Sequence, residues 1–223
     1  MNKLKLKDVT LICIADMHPE KSEEIIEGVA NNIDFADVKL LSSKNESAVT
    51  NKINPMFNVR DYNIFVVKEV HKYIDTEFCM FVQTDGYPIN PSMWTDDFLK
   101  YDYIGAPWTW APPEHKNGIC RVGKTVGNGG FSVRSKNILE ETSKLEYNAK
   151  WPNGQLMQED IFTCQVEDEY LKSVGITYAP VELAHHFSVE NQAYSYQFGF
   201  HGHETIKLNK ELGNFIFKDH AYE

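Results

Sequence analysis

An apolar run at residues 9–15 (VTLICIA) limits the possible folds of this chain more than any other part of its sequence. Continuous runs of β-branched and apolar residues form strands that are buried on both faces, as in the parallel sheets of α/β proteins. Asp16 follows the run directly. Because ligands of open α/β sheets collect beyond the carboxyl ends of the strands, Asp16 is a candidate ligand contact.

Strands and helices are expected to alternate over the first 83 residues. Residues 19–32 begin with a proline and several acidic residues, which predicts a helix, and residues 38–42 predict a second strand. The polar residues 43–60 predict a loop. Apolar residues at helical spacing over 62–74 predict another helix, and residues 78–83 predict a further buried strand. This alternation predicts an α/β sheet that helices cover.

Beyond residue 100 the sequence is less regular, with short apolar runs at 103–106 and 130–133. We expect one domain over residues 1–223, in which a Rossmann-like nucleotide-binding half (about 1–100) precedes an acceptor half (about 101–223). Aromatic rings can stack on sugars, but most of the large aromatic residues in and beside the second half are expected in the core. These residues are Trp94, Tyr103, Trp108, Trp110 and Trp151.

Charge and cysteine content restrict the partners and the compartment. The chain has 22 basic and 32 acidic residues, a net charge of −10, which disfavours binding to DNA. Its 4 cysteines form no C-x-x-C pair, which predicts a reduced, cytoplasmic protein. No apolar stretch approaches the roughly 20 residues that span a bilayer, so no transmembrane segment is expected. The sequence leaves the oligomeric state open.

The segment Gln83-Thr84-Asp85-Gly86 directly follows the predicted strand FCMFV. A carboxylate at the end of a buried strand can hold a divalent cation, and a neighbouring glycine lets a phosphate approach the backbone. Asp85 is therefore a candidate metal ligand, with Thr84 and Gly86 beside the diphosphate of a nucleotide sugar. The alternative is an ordinary Thr-Asp-Gly turn with purely local hydrogen bonds.

Asn128, Gly129 and Gly130 lie in a second candidate segment, GNGGFSVR. Glycines remove side chains so that a sugar ring can lie against the main chain, and the Asn amide can bond sugar hydroxyls. The segment has neither G-x-G-x-x-G spacing nor a G-K-[ST] ending, so it predicts neither a dinucleotide fold nor a P-loop. A β-turn that leads into a strand would give the same pattern.

Glu159 and Asp160 precede an apolar helical stretch, IFTCQVEDEYL. A carboxylate at a helix start is favoured by the helix dipole, which accounts for at least one of the two. The other can be a general base that takes the proton of an acceptor hydroxyl as it attacks an anomeric carbon. We assign this role to Asp160.

His201 and His203 lie in the segment FGFHGH near the C-terminus. Imidazole nitrogens bind first-row transition ions, so either residue could share a cation with Asp85. A single histidine is more often structural, and His185 and His186 show that the chain has others.

Taken in order, the segments QTDG, DYIGAPW, VGNGGFSVRS, QEDIF and FGFHGH resemble the bacterial and phage family DUF5672, which is related to GT-A glycosyltransferases. The resemblance spans about residues 60–205. It implies a GT-A-like fold, an α/β arrangement with a Rossmann-related mixed sheet and helices on both faces. It also implies a UDP-sugar or similar donor, a hydroxyl acceptor, and Mn²⁺ or Mg²⁺.

The same resemblance implies that Asp85 and either His201 or His203 bind the metal. Asp160 takes the position of the base of inverting GT-A enzymes. The usual Asp-x-Asp is reduced to Gln83-Thr84-Asp85, which leaves one carboxylate there. The residues that the resemblance places beside the donor nucleotide or its sugar are Asp16, Asn128, Gly129 and Gly130.

Two other functions fit parts of the sequence. A nucleotidyltransferase that makes activated sugars also uses a Rossmann-like half and a divalent metal, but it needs a Gly-rich loop with Arg or Lys near the first strand. The segment IADMHPEKSEE offers none. A non-catalytic carbohydrate-binding module would need only the aromatic and glycine segments. For a transferase, the acceptor hydroxyl could belong to a glycan, a small molecule, a protein or a hydroxymethylated DNA base.

Overall fold

Two sheets and seven helices make up the computed structural model, which describes residues 3–16, 19–44, 47–108 and 126–209. The strands are β1 (Leu4–Ile14), β2 (Ile33–Ser42), β3 (Thr50–Lys52), β4 (Phe78–Val82), β5 (Gly86–Pro88), β6 (Tyr103–Gly105), β7 (Ser132–Ser135), β8 (Ser188–Glu190) and β9 (Gly199–His201). The helices are α1 (Pro19–Asn32), α2 (Val59–Lys68), α3 (Lys136–Lys144), α4 (Glu159–Ile161), α5 (Asp168–Ser173), α6 (Val181–Phe187) and α7 (His203–Leu208). Short 3-10 turns cover Val70–Tyr73, Pro91–Met93 and Asp96–Lys100, and a π-helical turn covers Phe162–Val166.

The main sheet is mixed and has the strand order β3-β2-β1-β4-β7-β6. Strands β3, β2, β1 and β4 are parallel, whereas β7 pairs antiparallel with both β4 and β6. A smaller sheet has the order β5-β9-β8. The predicted α/β class with a mixed sheet is confirmed. The division into a nucleotide half and an acceptor half stays a prediction.

Strand β1 has a second half that pairs on both sides and a first half that pairs on one side only. Residues 9–13 pair with β2 or β4, mostly with both, and are fully buried. Leu4 and Leu6 pair on one side only, with β2, and alternate with exposed lysines. The predicted start at residue 9 was therefore too late, because the one-sided part of the strand lacks a continuous apolar run.

Helix α1 has the predicted bounds, and it buries Ile25, Ile26 and Val29. The predicted loop at 43–60 was wrong at two places, since it contains β3 and the start of α2. Asn58 caps α2 by accepting a hydrogen bond from the backbone N–H of Asp61 at 3.1 Å. Helix α2 also ends earlier than predicted, at Lys68, before a 3-10 turn.

Aromatic rings fill much of the core of the second half. Phe131 stacks on Phe187 with ring centroids 4.8 Å apart, and Phe98 and Phe198 pack around them. As expected for most of the large aromatics, Tyr103 and Trp108 are buried and Trp94 packs against the core, whereas Trp151 is half-buried and Trp110 lies outside the described residues. The described cysteines, Cys13, Cys79 and Cys164, are buried free thiols, and Cys120 is not among the described residues.

Candidate functional site

A cavity of about 590 Å³ opens where β1 and β4 end, a volume within the range of small-molecule sites. Most of the predicted site residues line it: Asp16, Thr84, Gly129, Gly130, Glu159, Asp160, His201 and His203. The others, Asp85, Gly86 and Asn128, contact or pair with His201. The fold thus brings together segments as distant as Gln83 and His201, which are 118 positions apart.

Asp85 lies in the turn that joins the two sheets. Gln83 and Gly86 exchange backbone hydrogen bonds across this turn, and Gly86 pairs with His201 of β9. The Nε2 atom of His201 is 3.7 Å from Asp85 Oδ1, and the Nε2 atom of His203 is 3.5 Å from Asp85 Oδ2. The Asp85 carboxylate therefore lies between two imidazoles.

These donor atoms are of the types that Mn²⁺ binds. A carboxylate suits Mg²⁺ and Mn²⁺, and an imidazole nitrogen adds a preference for transition ions. Two ligand atoms on one cation are roughly 3 to 3.5 Å apart when each bond is about 2.1 Å, so the observed separations from Asp85 require only small side-chain movements. Within the described residues, no group of three or more His, Cys, Asp or Glu side chains is arranged around one such point. Further ligands would have to come from a bound diphosphate or from water.

His201 is held from both sides of its ring. Its Nδ1 atom lies 3.2 Å from Glu190 Oε1 and 2.7 Å from Asn128 Nδ2, and its Nε2 atom lies 3.4 Å from Gln83 Oε1. Metal-binding histidines commonly have a carboxylate on the second ring nitrogen, which orients the ring. Burial lowers the pKa of His201, but the hydrogen bond to Glu190 and the charges of Asp85 and Glu190 outweigh burial and raise the pKa.

Two glycines leave the space that the His201 ring occupies. A Cβ atom on Gly130 would lie 2.1 Å from His201 Nε2, and one on Gly86 would lie 2.4 Å from His201 Cδ2. Both separations are shorter than the 3.0 Å below which Cβ atoms essentially never approach other heavy atoms. At Gly130, the space that the sequence analysis assigned to a sugar ring is therefore taken in part by an imidazole.

Asn128 holds the glycine segment in place through hydrogen bonds of its side-chain amide. The residue is 1% exposed and adopts a left-handed conformation with φ 66°. Its Oδ1 atom accepts hydrogen bonds from the backbone N–H groups of Gly130 and Phe131, and its amide nitrogen contacts His201. The amide thus holds the loop and the imidazole, and its predicted contact with a sugar hydroxyl stays a prediction.

Asp160 is half-buried on the cavity wall, at the start of α4 and just before the π-helical turn. Its Oδ2 atom accepts a hydrogen bond from the backbone N–H of Gly129 at 2.8 Å, and its Oδ1 atom accepts one from Ile161 at 2.8 Å. Burial and the neighbouring charge of Glu159 raise the pKa of Asp160 to about 6. Such a carboxylate is ionised at neutral pH and is more basic than an ordinary aspartate, as a general base requires.

Glu159, which the sequence analysis placed beside Asp160 in the catalytic set, has a different environment. It is 3% exposed, and both of its carboxylate oxygens accept hydrogen bonds from the guanidinium of Arg134, at 2.7 and 2.8 Å. Both acids line the cavity, but Glu159 is neutralised by a buried guanidinium, whereas the oxygens of Asp160 accept hydrogen bonds from backbone N–H groups. Asp160 is therefore the better candidate for the base.

Asp16 also lines the cavity, close to the end of β1. Its Oδ1 atom accepts hydrogen bonds from the backbone N–H of Ser43 and the hydroxyl of Ser42, and its Oδ2 atom accepts from the hydroxyl of Ser43 and the N–H of Met56. Burial would raise the pKa of Asp16, but these hydrogen bonds outweigh burial and lower the pKa. Asp16 therefore holds Ser42, Ser43 and Met56 together beside the cavity.

A family comparison confirms the resemblance that the ordered motifs indicate. The family model described as "Protein of unknown function (DUF5672)" matches residues 47–203. The chain belongs to the DUF5672 family. The match includes every predicted site residue except Asp16, which lies before it. No curated protein matches the sequence at a significant level.

Solved structures show which fold this DUF5672 member has. It is similar to the galactosyltransferase LgtC in complex with donor and acceptor sugar analogues, with 10% sequence identity and a TM-score of 0.53, over 96% of this chain and 98% of that one. An active-site variant of LgtC gives 11% identity and a TM-score of 0.51 over the same shares. A glucosyl-3-phosphoglycerate synthase from Mycobacterium tuberculosis in complex with phosphoglyceric acid gives 10% identity and a TM-score of 0.42, over 59% of this chain and 58% of that one. The similarity to LgtC confirms the GT-A-like fold.

Three residues of the site were not predicted. Tyr62 lines the cavity from α2, and its hydroxyl accepts a hydrogen bond from Gln83 Nε2 at 3.0 Å. Glu190 orients His201, and Arg134 binds Glu159. Of these three residues, only Arg134 could have been identified from the sequence. An arginine within a strand of otherwise apolar and small residues needs a buried partner.

The described helices include none that is both long and apolar enough to cross a bilayer.

Proposed function

We propose that this chain is a metal-dependent glycosyltransferase that moves a sugar from a nucleotide-diphosphate donor to a hydroxyl acceptor. One observation carries the proposal. A single cavity in a GT-A-like fold is lined by two imidazoles that flank the Asp85 carboxylate and by a second carboxylate, Asp160, with a raised pKa. The first group suits a cation and a diphosphate, and the second suits proton removal from a hydroxyl.

The charges of the cavity wall favour a metal. Among the described residues, the lining contains Asp16, Glu159 and Asp160 but no Lys or Arg. A diphosphate would meet mostly negative charge there unless a cation came with it. We propose that Asp85, His201 and His203 hold Mn²⁺ or Mg²⁺, which when bound offsets the charge of the leaving diphosphate. We take UDP as the nucleotide and a hexose or pentose as the sugar, from the resemblance of the ordered motifs.

Asp160 performs the proton transfer in this proposal. Its free lone pairs take the proton of the acceptor hydroxyl while the hydroxyl oxygen forms a bond to the anomeric carbon of the donor. The bond from that carbon to the diphosphate oxygen breaks with its electron pair, which leaves on the nucleoside diphosphate. Because the attack occurs opposite the leaving group in a single step, we propose that the anomeric configuration is inverted. The Gly129 N–H keeps the carboxylate in place throughout.

The alternatives explain less of the site. A nucleotidyltransferase binds a triphosphate, for which the described part of the cavity wall offers no Lys or Arg. A carbohydrate-binding module would have no use for a carboxylate with a raised pKa on the cavity wall. A DNA acceptor remains disfavoured by the net charge of −10, so we propose a glycan or another small hydroxyl acceptor. We also propose a cytoplasmic location, which the buried free thiols support.

The test is a donor screen with a matched pair of variants. UDP-glucose, UDP-galactose, UDP-N-acetylglucosamine and GDP-mannose are added with Mn²⁺, and thermal stabilisation and release of the nucleoside diphosphate are measured. We expect one donor to stabilise the protein and to be hydrolysed slowly. Asp160→Asn should be stabilised by the donor as wild type is, but it should release the nucleoside diphosphate at least about 100-fold more slowly. Asp97→Asn, which changes an exposed acid outside the cavity, should match wild type in both measurements. Stabilisation by a donor with equal release from wild type and Asp160→Asn would contradict the proposed mechanism.

A further inference from the structure

Arg134 lies at the centre of a buried contact network behind the proposed base. The side chain is 2% exposed, and its guanidinium lies between the rings of Phe81 and Tyr103, at 4.3 and 5.0 Å from their centroids. Both terminal nitrogens donate to Glu159, and Nε donates to Ser132 Oγ at 3.1 Å. The guanidinium is therefore fixed in position by two rings and three donor groups.

The same guanidinium also holds the second group that contacts Asp160. Its Nη2 atom donates to the carbonyl oxygen of Gly129 at 3.2 Å, and the N–H of Gly129 donates to Asp160 Oδ2 at 2.8 Å. Glu159 is the residue directly before Asp160 in the chain. Arg134, Glu159, Asp160 and Gly129 thus form a closed ring, and Arg134 is the member that binds both neighbours of the base.

We propose that the Arg134–Glu159 pair is a positioning device that fixes the Asp160 carboxylate for proton transfer and balances the charge next to it. The inference rests on the proposed role of Asp160 as the base. Arg134 does not line the cavity and Glu159 is bound by its guanidinium, so in this proposal both act through Asp160.

The closed ring of contacts among Arg134, Glu159, Asp160 and Gly129 leaves no space for a side chain at position 129. A Cβ atom on Gly129 would lie 1.8 Å from Glu159 Oε1 and 3.0 Å from Arg134 Nη2, so the ring closes only around a glycine. Fold stability gives no strong reason for such an arrangement, because a buried ion pair can often be replaced by apolar residues of similar volume at little cost. A positioning role gives a reason, since small displacements of a reacting group lower rates strongly.

The charges of the pair act on Asp160 in opposite directions. Glu159 raises the pKa of Asp160, and Arg134 lowers it by a smaller amount. If Glu159 is neutralised, Arg134 alone remains and the pKa of Asp160 should fall. If both charges are removed, the pKa should fall by less.

The experiment compares wild type with Glu159→Gln and with the double variant Arg134→Met/Glu159→Met, which keeps an apolar pair of similar size. Arg134→Met alone would leave a buried charge unpaired and is avoided, since it could prevent folding. The Asp160 carboxyl is titrated by carbon-13 NMR, with its signal assigned from Asp160→Asn. We expect the pKa of Asp160 to decrease in the order wild type, double variant, Glu159→Gln, with about one unit between the first and the last.

The rate of nucleoside diphosphate release is measured on the same proteins, with Mn²⁺ and the best donor of the screen. The double variant should stay folded, keep its affinity for UDP and release at least about 10-fold less product, because Asp160 is no longer held. The matched control is Lys172→Met/Asp168→Asn, which removes another partly buried ion pair whose residues do not line the cavity. This control should leave both the rate and the Asp160 pKa unchanged.

Two results would overturn the inference. The first is the same Asp160 pKa in wild type, the double variant and Glu159→Gln. The second is wild-type release by the double variant while Asp160→Asn is inactive, which would leave the proposed function intact. If no donor is hydrolysed by wild type, the proposed function fails instead, and the titration still tests whether the pair controls Asp160.

Discussion

Replacing Gly130 with alanine should disable the cation site while leaving the fold intact. The new Cβ atom would lie 2.1 Å from His201 Nε2 and 2.6 Å from Gln83 Oε1. Ordinary contacts begin at 3.4 Å, so the imidazole would have to move by about 1.3 Å. Gly130 does not have a positive φ angle, and alanine therefore adds no backbone strain there. The effect should come from displacement of the imidazole and of the Gln83 side chain beside it.

The expected loss is large because a displacement of about 1 Å can lower a rate by about 100-fold. We expect Gly130→Ala to release nucleoside diphosphate about 100-fold more slowly and to require more Mn²⁺ for half-maximal rate. The assay is release from the best donor of the screen over a range of Mn²⁺ concentrations. Thermal unfolding of the same protein reports whether the fold is kept.

Gly175 provides the matched control. It has a φ angle of 96°, and a Cβ atom there would meet nothing within 4 Å. Gly175→Ala should therefore cost about 1–2 kcal/mol of folding free energy through backbone strain and leave the rate unchanged. The reasoning is refuted if Gly130→Ala releases product at the wild-type rate and with the wild-type Mn²⁺ dependence.

Three further predictions concern Asp160 and Asp16. Since the pKa of Asp160 is about 6 and the base must be ionised, the rate should fall about 10-fold per pH unit below pH 6 and level off above pH 7; an acidic limb near pH 4 would argue against Asp160 as the base. Because this pKa lies above the ordinary value of 3.8, the folded protein binds the Asp160 proton more tightly than the unfolded chain, and ionisation of Asp160 costs folding free energy. The melting temperature of Asp160→Asn minus that of wild type should therefore increase as the pH rises from 4 to 7, and a constant difference would contradict the raised pKa. Asp16→Asn should lower the free energy of unfolding by about 1–3 kcal/mol and speed amide exchange at Ser43 and Met56, because an amide group cannot accept all the hydrogen bonds from Ser42, Ser43 and Met56. Unchanged exchange at these two residues would show that Asp16 does not hold them in place.

Sequence patterns predicted the parts of the fold that have strong periodicity. The buried run before Asp16 and helix α1 were predictable because each buries a continuous run or one regular face. Strand β3 was not, since its three residues, Thr50–Lys52, are polar and only partly buried and pair with β2 alone. Such a strand depends on its neighbour and leaves no pattern of its own.

In the site, too, the candidate residues were predictable from the sequence, whereas their partners in space were not. The motifs identified Asp85, His201 and Asp160 because carboxylates and imidazoles follow strands or begin helices at recognisable positions. Glu159, and not Asp160, is bound by the guanidinium of Arg134, which lies 25 residues earlier and has no sequence relation to Glu159. Arg134 lies on β7 and Glu159 on α4, so their pairing depends on how these two elements pack together.

The most direct test of the shared cation site is the affinity of the intact chain for Mn²⁺ in the presence of UDP. The concentration of free Mn²⁺ is measured by electron paramagnetic resonance. Wild type should bind a single Mn²⁺, and Asp85→Ala and His201→Ala should each weaken that binding at least about 10-fold, since each removes a ligand. His185→Ala, which removes an exposed histidine outside the cavity, should bind as wild type does. Equal Mn²⁺ binding by wild type and Asp85→Ala would contradict the proposal that this carboxylate holds the cation.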